Sequence, residues 1–142
     1  MGDYPQLKLK NQLCFPLYAA ARQVTSAYTP YLKPLGLTYT QYLVMMVLWE
    51  CDGLRVSDIC GLLRLDSGTI TPLIKKLCAE GLAEKRHCED DERSVRVFLT
   101  EKGRALEERA SGIPGEIAGC VRLEPGEAGE LYRLLYKLLG EN

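Results

Sequence analysis

The sequence has no long apolar run and only one histidine, and its charges nearly balance at a net charge of −1. A membrane-spanning helix needs roughly 18 or more consecutive apolar residues, so an ordinary transmembrane segment is excluded. The first ten residues also lack the apolar core and the small-residue cleavage site of a secretory signal. We therefore expect a soluble, cytoplasmic protein.

Cysteine is plentiful, with six residues, but no two cysteines have the C-x-x-C spacing of a zinc site. The single histidine, His87, merely adjoins Cys88, so we expect neither a metal nor another cofactor. Since nothing in the sequence indicates export, the thiols should be reduced and not paired in a disulfide framework.

The length of 142 residues, 46% of them apolar, suits one hydrophobic core and is too short for two ordinary domains. We expect a single domain over residues 1–142. The near-zero net charge argues against nucleic acid, which is bound by neutralising phosphates. The distribution of charge weakens that argument, because ten of the 18 basic residues fall between residues 54 and 104.

Apolar residues recur at three- and four-residue steps from Leu7 to Leu35, which predicts a long amphipathic helix. Pro16 removes one backbone hydrogen bond, so it should kink this helix or delay its regular part. A second helix is predicted from Tyr39 to Glu50, with Thr38 as its N-cap and with burial nearly all round.

A short helix from Val56 to Leu63, a tight turn and a longer helix that ends near Glu80 form the pattern of a helix-turn-helix. Small hydrogen-bonding side chains begin the longer helix and let its backbone approach base edges, and the lysines beyond them suit phosphates. Pro72 fits only in or near the first turn of this helix. An ordinary capped surface helix would explain the small polar residues equally well. The candidate DNA-binding residues are Ser67, Thr69, Thr71, Lys75 and Lys76.

After Gly81 the apolar period shifts towards two, which predicts a hairpin of Leu82–His87 and Val95–Leu99 with a long charged tip. In the tip, Asp91 could pair with Arg93 and direct its guanidinium into a minor groove, where arginine is favoured. A hairpin after a recognition helix forms a wing, whereas a solvated tip without a partner is the simpler alternative. Flanking cations favour the wing: Lys85, Arg86 and Arg96.

Two further helical regions follow the hairpin. Thr100 is the predicted N-cap of a helix from Glu101 to about Ser111, and a shorter segment lies around Ile117 to Val121. A last helix is predicted to begin at Pro125, a good first helical position. The apolar residues that this last helix should bury are Leu131, Leu134, Leu135, Leu138 and Leu139.

The order of elements predicts a mainly α fold with a small β-hairpin wing, that is, a winged helix-turn-helix in an intertwined dimer. The reading head is placed at about 54–100. The flanking helices, at about 7–35 and 101–139, carry more leucine than a small monomer needs, so we assign them to dimerisation. Two heads related by a two-fold axis would read half-sites about 34 Å apart on pseudo-palindromic operator DNA.

Two segments are specific in their resemblance to a known family. Leu65–Leu73 (LDSGTITPL) and Asp91–Ser94 (DERS) resemble the reading head and the wing of the MarR family of winged-helix regulators. The similarity covers nearly all of residues 7–139.

More narrowly, three segments resemble the OhrR branch of that family, the organic hydroperoxide resistance regulators. They are Asn11–Phe15 (NQLCF), Leu17–Ala20 (LYAA) and Leu37–Tyr42 (LTYTQY).

This resemblance implies a redox-sensing repressor. In the OhrR branch a cysteine at the position of Cys14 is oxidised by organic hydroperoxides, and the dimer then leaves its operator. Tyrosines that match Tyr28 and Tyr39 hydrogen-bond the thiolate across the subunit interface, and Tyr18 lies close by. Some members form an intersubunit disulfide from the sensor to a second cysteine in the C-terminal region, where Cys120 lies.

The chemistry of a sensor agrees with this assignment, since a thiolate reacts with peroxide and needs hydrogen-bond donors and an apolar surround. One alternative is a MarR-type regulator released by a small phenolic or aromatic ligand, with Cys14 a buried small hydrophobe. Another is a thiol peroxidase, for which the sequence gives no support, so we expect a regulator and not an enzyme. Among the other thiols, Cys51, Cys60 and Cys78 are expected in the core, and Cys88 on the wing is a rival reactive site.

Overall fold

The computed structural model describes residues 2–89 and 91–141, and for residues 91–93 it describes the backbone alone. The described part is mainly helical with a small antiparallel sheet, as predicted. No helix in it is both long enough and apolar enough to cross a membrane. The helices are α1 (Cys14–Ala27), α2 (Thr29–Leu32), α3 (Tyr39–Glu50), α4 (Val56–Leu63), α5 (Ser67–Ala79), α6 (Glu101–Ala110), α7 (Ile113–Ala118) and α8 (Pro125–Leu138). The strands are β1 (Leu54–Arg55), β2 (Ala83–Cys88) and β3 (Asp91–Leu99).

The N-terminal segment corrects the prediction of a helix from Leu7. Two short 3₁₀ turns, Pro5–Leu7 and Leu9–Asn11, come first, and the regular helix begins only at Cys14. Pro16 therefore lies in the first turn of α1, where a missing N–H breaks no helical hydrogen bond. Of the two expected effects of Pro16, the structure has the delayed start.

The predicted long helix is also interrupted at Tyr28, which separates α1 from α2. Pro30 is the second residue of α2 and has no N–H to donate to the carbonyl one turn earlier. A 3₁₀ turn continues the path to Leu35, and Gly36 ends it with a left-handed φ of 72°.

Helix α3 has the bounds that the sequence predicts. Its N-terminus is closed by a capping box, in which Thr38 Oγ1 accepts from the Gln41 N–H at 3.3 Å and Gln41 Oε1 accepts from the Thr38 N–H at 2.9 Å. One prediction fails here, because Met46 is exposed and the helix is not buried all round. The other face supplies three fully buried side chains to the core: Val44, Met45 and Leu48.

The helix-turn-helix consists of α4 and α5, which are joined through Arg64 in a left-handed conformation with φ 55°. The prediction that Pro72 lies in or near the first turn of α5 is wrong, because Pro72 lies one turn further inside the helix. One backbone hydrogen bond of the helix is missing, because Pro72 has no N–H to donate to the Gly68 carbonyl. Gly68 is exposed, so water can reach that carbonyl.

The sheet has three strands in the order β1-β3-β2, one more than the predicted hairpin. Strand β1 is only two residues long, and its Leu54 and Arg55 lie opposite Val97 and Arg96 of β3. Strand β3 begins at Asp91, four residues earlier than expected.

The hydrophobic core lies between α3, α4, α5, β3 and α6. Trp49 at the end of α3 donates its Nε1–H to the Gly103 carbonyl of α6 at 2.9 Å. Asp52, two residues after the end of α3, bonds to β3 and to α6. Its Oδ1 accepts from the Leu99 N–H at 2.8 Å, and its Oδ2 accepts from Arg104 Nη2 at 3.2 Å. These bonds hold α3, the sheet and α6 as one packed body.

The two long terminal helices leave their apolar faces uncovered. No residue of α1 or α8 is buried within the chain, so a single chain does not supply the burial that was predicted for the leucines of α8. Leu131 and Leu138 are 45% and 65% exposed. Exposed apolar faces of this kind are typical of an interface.

Candidate nucleic-acid interface and thiol site

The first turn of α5 is exposed and well capped. Asp66 Oδ1 accepts from the Thr69 N–H at 2.9 Å, which satisfies one of the free donors of the helix N-terminus. The predicted contact residues Ser67, Thr69, Thr71 and Lys75 are all exposed. The beginning of α5 can therefore meet a ligand without unfolding.

A groove of about 460 Å³ runs between α5, the start of α4 and the wing. Its lining includes Thr71, which the sequence predicted, together with Lys85 of β2. Arg55 and Ser57 also line it, although neither is among the site residues predicted from the sequence. Their polar character at the start of α4 was the only available signal, since the approach of α4 to the wing depends on the tertiary fold.

Lys76 is separated from this groove. It lines a second cavity of about 320 Å³ with Lys33 and Tyr39, between α5 and the segment that joins α2 to α3. Neither predicted lysine of α5 lines the first groove, and Lys76 lies next to the tyrosine that the thiol site was expected to use.

The base of the wing is held by charge and stacking. The Arg86 guanidinium forms an ion pair with Glu84 and lies 4.4 Å from the centroid of the Phe98 ring. Arg96 Nη1 donates to the Gly53 carbonyl at 2.9 Å. The predicted pair of Asp91 and Arg93 involves side chains outside the described part of the structure, so it stays a prediction.

Cys14 is the first residue of α1 and is exposed. Its chain neighbours Leu13 and Phe15 are exposed apolar residues. Tyr18 follows one turn later on the same side of the helix, with the Arg22 guanidinium 5.5 Å from its ring centroid. The thiol thus has apolar neighbours and one nearby phenol.

The other two predicted tyrosines form a cluster with Tyr42. The ring centroids of Tyr28 and Tyr39 are 4.9 Å apart, and those of Tyr28 and Tyr42 are 5.7 Å apart. Burial raises the pKa of all three phenols, and the nearby Tyr28 adds to the effect on Tyr39 and Tyr42. These side chains therefore keep their protons and act as donors over the physiological range.

Cys14 and Tyr28 lie at opposite ends of α1. A rise of 1.5 Å per residue puts them about 21 Å apart along the helix axis. Within one chain, the structure does not bring the thiol to the cluster of Tyr28 and Tyr39.

Cys120 lies just after α7 and is exposed. Its Sγ–H donates to the Glu116 carbonyl at 3.5 Å. The pKa of Tyr31 is raised mainly by the charge interaction with the nearby Cys120 sulfur, and further by burial and by the charge of Glu116. A cavity of about 220 Å³ lies beside Cys120 and is bordered by Val24 of α1.

The remaining cysteines fit the sequence prediction only in part. Cys60 and Cys78 are half-buried against the core, and burial raises the pKa of the Cys78 thiol. Cys51 is exposed and not in the core, because it follows the last turn of α3. Cys88 is half-buried on the wing, less open than expected.

A helix-turn-helix followed by a β-hairpin, with an exposed polar start to the second helix, defines a winged-helix DNA-binding protein. Residues 26–109 match the sequence profile of a family described as transcriptional regulator SarA/Rot. The chain is 44% identical over 138 residues to the organic hydroperoxide resistance transcriptional regulator of Bacillus subtilis, covering 97% of this chain and 94% of that protein. It belongs to the MarR family of winged helix-turn-helix transcriptional regulators, close to the organic hydroperoxide resistance regulators, as the sequence predicted.

Solved structures agree with this placement. Reduced AbfR of Staphylococcus epidermidis bound to DNA matches with a TM-score of 0.82 and 32% identity, covering 95% of this chain and 92% of that one. BpsR of Bordetella bronchiseptica, whose DNA binding is regulated by 6-hydroxynicotinic acid, matches with a TM-score of 0.86 and 25% identity, covering 99% and 100%.

Proposed function

We propose that this chain is a dimeric repressor that binds pseudo-palindromic operator DNA and leaves it when an organic hydroperoxide oxidises Cys14. The observation that carries the proposal is the position of Cys14, exposed among apolar side chains at one end of a helix whose other end meets a tyrosine cluster.

The dimer covers the apolar faces of α1 and α8. Both helices have exposed large apolar side chains and no residue buried by their own chain. Most homo-oligomers are closed two-fold dimers in which the same patch meets its copy, so a second copy is the simplest cover for this surface. Operator half-sites related by two-fold symmetry then follow from the geometry.

A two-fold axis would also bring Cys14 of one protomer close to Tyr28 of its partner. When two copies of α1 pack antiparallel, the N-terminal end of one lies beside the C-terminal end of the other. The Cys14 thiolate of one protomer would then accept hydrogen bonds from Tyr28 and Tyr39 of its partner, with Tyr18 nearby. Because burial raises the pKa of Tyr28 and Tyr39, their phenols stay protonated and keep this donor role.

Oxidation proceeds at the sulfur. The Cys14 thiolate attacks one peroxide oxygen, the O–O bond breaks, and the products are a cysteine sulfenic acid and an alcohol after the leaving alkoxide takes up a proton. The new oxygen disturbs the tyrosine hydrogen bonds that join the subunits. A rigid-body shift of the two reading heads then spoils their fit to the operator.

Cys120 is the candidate resolving cysteine. Its thiol could condense with the sulfenic acid of the partner's Cys14, forming the disulfide and releasing water. Support comes from its exposure and from the cavity that it shares with Val24 of α1. Among related structures, AbfR is described in reduced, overoxidised and disulfide forms.

The test is release of DNA by an alkyl hydroperoxide, such as cumene hydroperoxide, from a duplex selected with the reduced wild-type protein. We expect wild type and Cys51→Ser to release DNA, since Cys51 is an exposed thiol remote in sequence from α1. Cys14→Ser should bind the duplex and keep it. Release of DNA from Cys14→Ser would overturn the sensor assignment, and sustained peroxide turnover by wild type would indicate a peroxidase.

A second candidate function is release by a small aromatic ligand. The cavity of about 320 Å³ beside Tyr39, with Lys33 and Lys76 on its walls, has the size and charge for an aromatic carboxylate. BpsR responds to such a compound. Release of the Cys14→Ser variant by 6-hydroxynicotinic acid would favour this function.

A further inference from the structure

The strand register places three arginines in one row across the sheet. Arg55 of β1 lies opposite Arg96 of β3, and Arg86 of β2 lies opposite Arg96 from the other side. Directly opposed residues share a face of a sheet, and neighbouring strands are about 4.8 Å apart. The row, which we call the arginine row, is therefore about 10 Å long.

This row faces away from the core. The residues next to it in each strand, Leu54, Lys85 and Val97, form the opposite row, and Val97 is fully buried. Arg55 and Arg86 are exposed, and Arg96 is half-buried.

The described contacts neutralise the arginine row only in part. Glu84 pairs with Arg86, whereas Arg96 is held by the neutral Gly53 carbonyl. Glu89 borders the same groove. Like charges directly opposite each other across strands are destabilising, so a row of three guanidinium groups favours an added anion.

A groove of about 330 Å³ follows the arginine row. Arg55 borders both this groove and the groove of about 460 Å³ that contains Thr71 and Lys85. The two grooves thus meet at Arg55, one on each side of the wing. The arginine row is continuous with the surface that faces the recognition helix.

We propose that the arginine row binds phosphates of the second DNA strand at the minor groove that the wing enters, an inference that rests on the proposed function. A minor groove is about 6 Å wide and is bounded by two phosphate strands. A hairpin inserted there presents one face to each strand. The groove beside α5 takes one backbone, and the arginine row takes the other.

The salt dependence of DNA affinity tests this proposal, because each lost phosphate contact lowers the slope of log K against log salt by about 0.9. With one contact per protomer, Arg86→Gln should lower the slope of the dimer by about 1.8 between roughly 50 and 200 mM salt. Arg86→Lys should retain most of the slope, because it retains the charge. The control Arg133→Gln removes an arginine that pairs with Glu130 on α8 and should leave the slope unchanged.

A second substitution should have the opposite effect on DNA affinity. Glu84→Gln frees Arg86 from its ion pair and should tighten binding about twofold, as expected from the energy of an exposed pair. The effects should be equal on the selected duplex and on a random duplex, since phosphates carry no sequence information.

Two results would overturn the proposal: a wild-type slope in Arg86→Gln, or equal losses of slope in Arg86→Lys and Arg86→Gln. Either result leaves peroxide release by the wild-type protein intact, so the proposed function survives it. Absence of DNA binding by the reduced wild-type protein would instead contradict the proposed function itself.

Discussion

Gly103 shows how one residue fixes the position of a helix. A Cβ at this position would lie 2.1 Å from the Leu82 carbonyl oxygen and 3.2 Å from Leu99 Cδ2. The carbonyl belongs to the backbone and cannot rotate away like a flexible side chain. Helix α6 can pack this closely on the sheet only because Gly103 has no side chain.

Gly103→Ala should therefore destabilise the protein, although alanine is the better helix former. The clash should cost about 1–3 kcal/mol, more than the gain in helix propensity of about 1 kcal/mol. Gly61→Ala is the matched control, since nothing lies within 4 Å of its added Cβ, and it should stabilise α4. Urea denaturation of both variants checks this, and equal stabilities would contradict it.

The tyrosine cluster predicts loss of stability at high pH. Burial raises the pKa of Tyr28, Tyr39 and Tyr42 in the folded protein. The unfolded chain then loses these protons first, so the stability is complete below about pH 10 and declines as the pH rises further. Tyr42→Phe should reduce this alkaline decline in the free energy of unfolding, measured by urea denaturation. An unchanged decline would argue against the buried phenol as its source.

The start of the recognition helix depends on one side chain. Asp66→Ala removes the acceptor for the Thr69 N–H and should cost about 1 kcal/mol. Asp66→Asn keeps an acceptor oxygen and should retain most of the stability. Thermal unfolding of the two variants separates the cap from a general effect of substitution, which would lower both alike.

Elements with strong periodicity were predictable from the sequence. Helix α3 has its predicted bounds because Thr38 and the apolar run mark both ends. Strand β1 was missed because two residues are too few to show a period. The break at Tyr28 was also missed, since Pro30 interrupts an apolar pattern that continues beyond it.

The uncovered terminal helices predict a dimer that one added charge can break. Leu134→Glu places a carboxylate on the apolar face of α8, so sedimentation equilibrium should report a monomer. Leu62→Glu is the control, because Leu62 is also an exposed leucine but lies on α4 in the reading head. A dimer of unchanged affinity in Leu134→Glu would remove α8 from the interface.

The site was predictable only where its residues are close in the sequence. Thr71 and Lys75 share one helix and could be grouped from their spacing. Arg55 lies far along the chain from Arg86 and Arg96, and only the strand register aligns them. Cys14 and Tyr28 lie at opposite ends of α1, and the contact proposed between them needs a second molecule, whose position a single-chain pattern does not give.

The bonds of Asp52 have a consequence for motion. Helix α3 is about 18 Å long, with Tyr39 at one end and Asp52 just beyond the other. The Asp52 carboxylate accepts hydrogen bonds from both β3 and α6, so the C-terminal end of α3 is tied to both elements. We therefore expect a displacement of the Tyr39 end of α3 to reach the wing through Asp52 and β3.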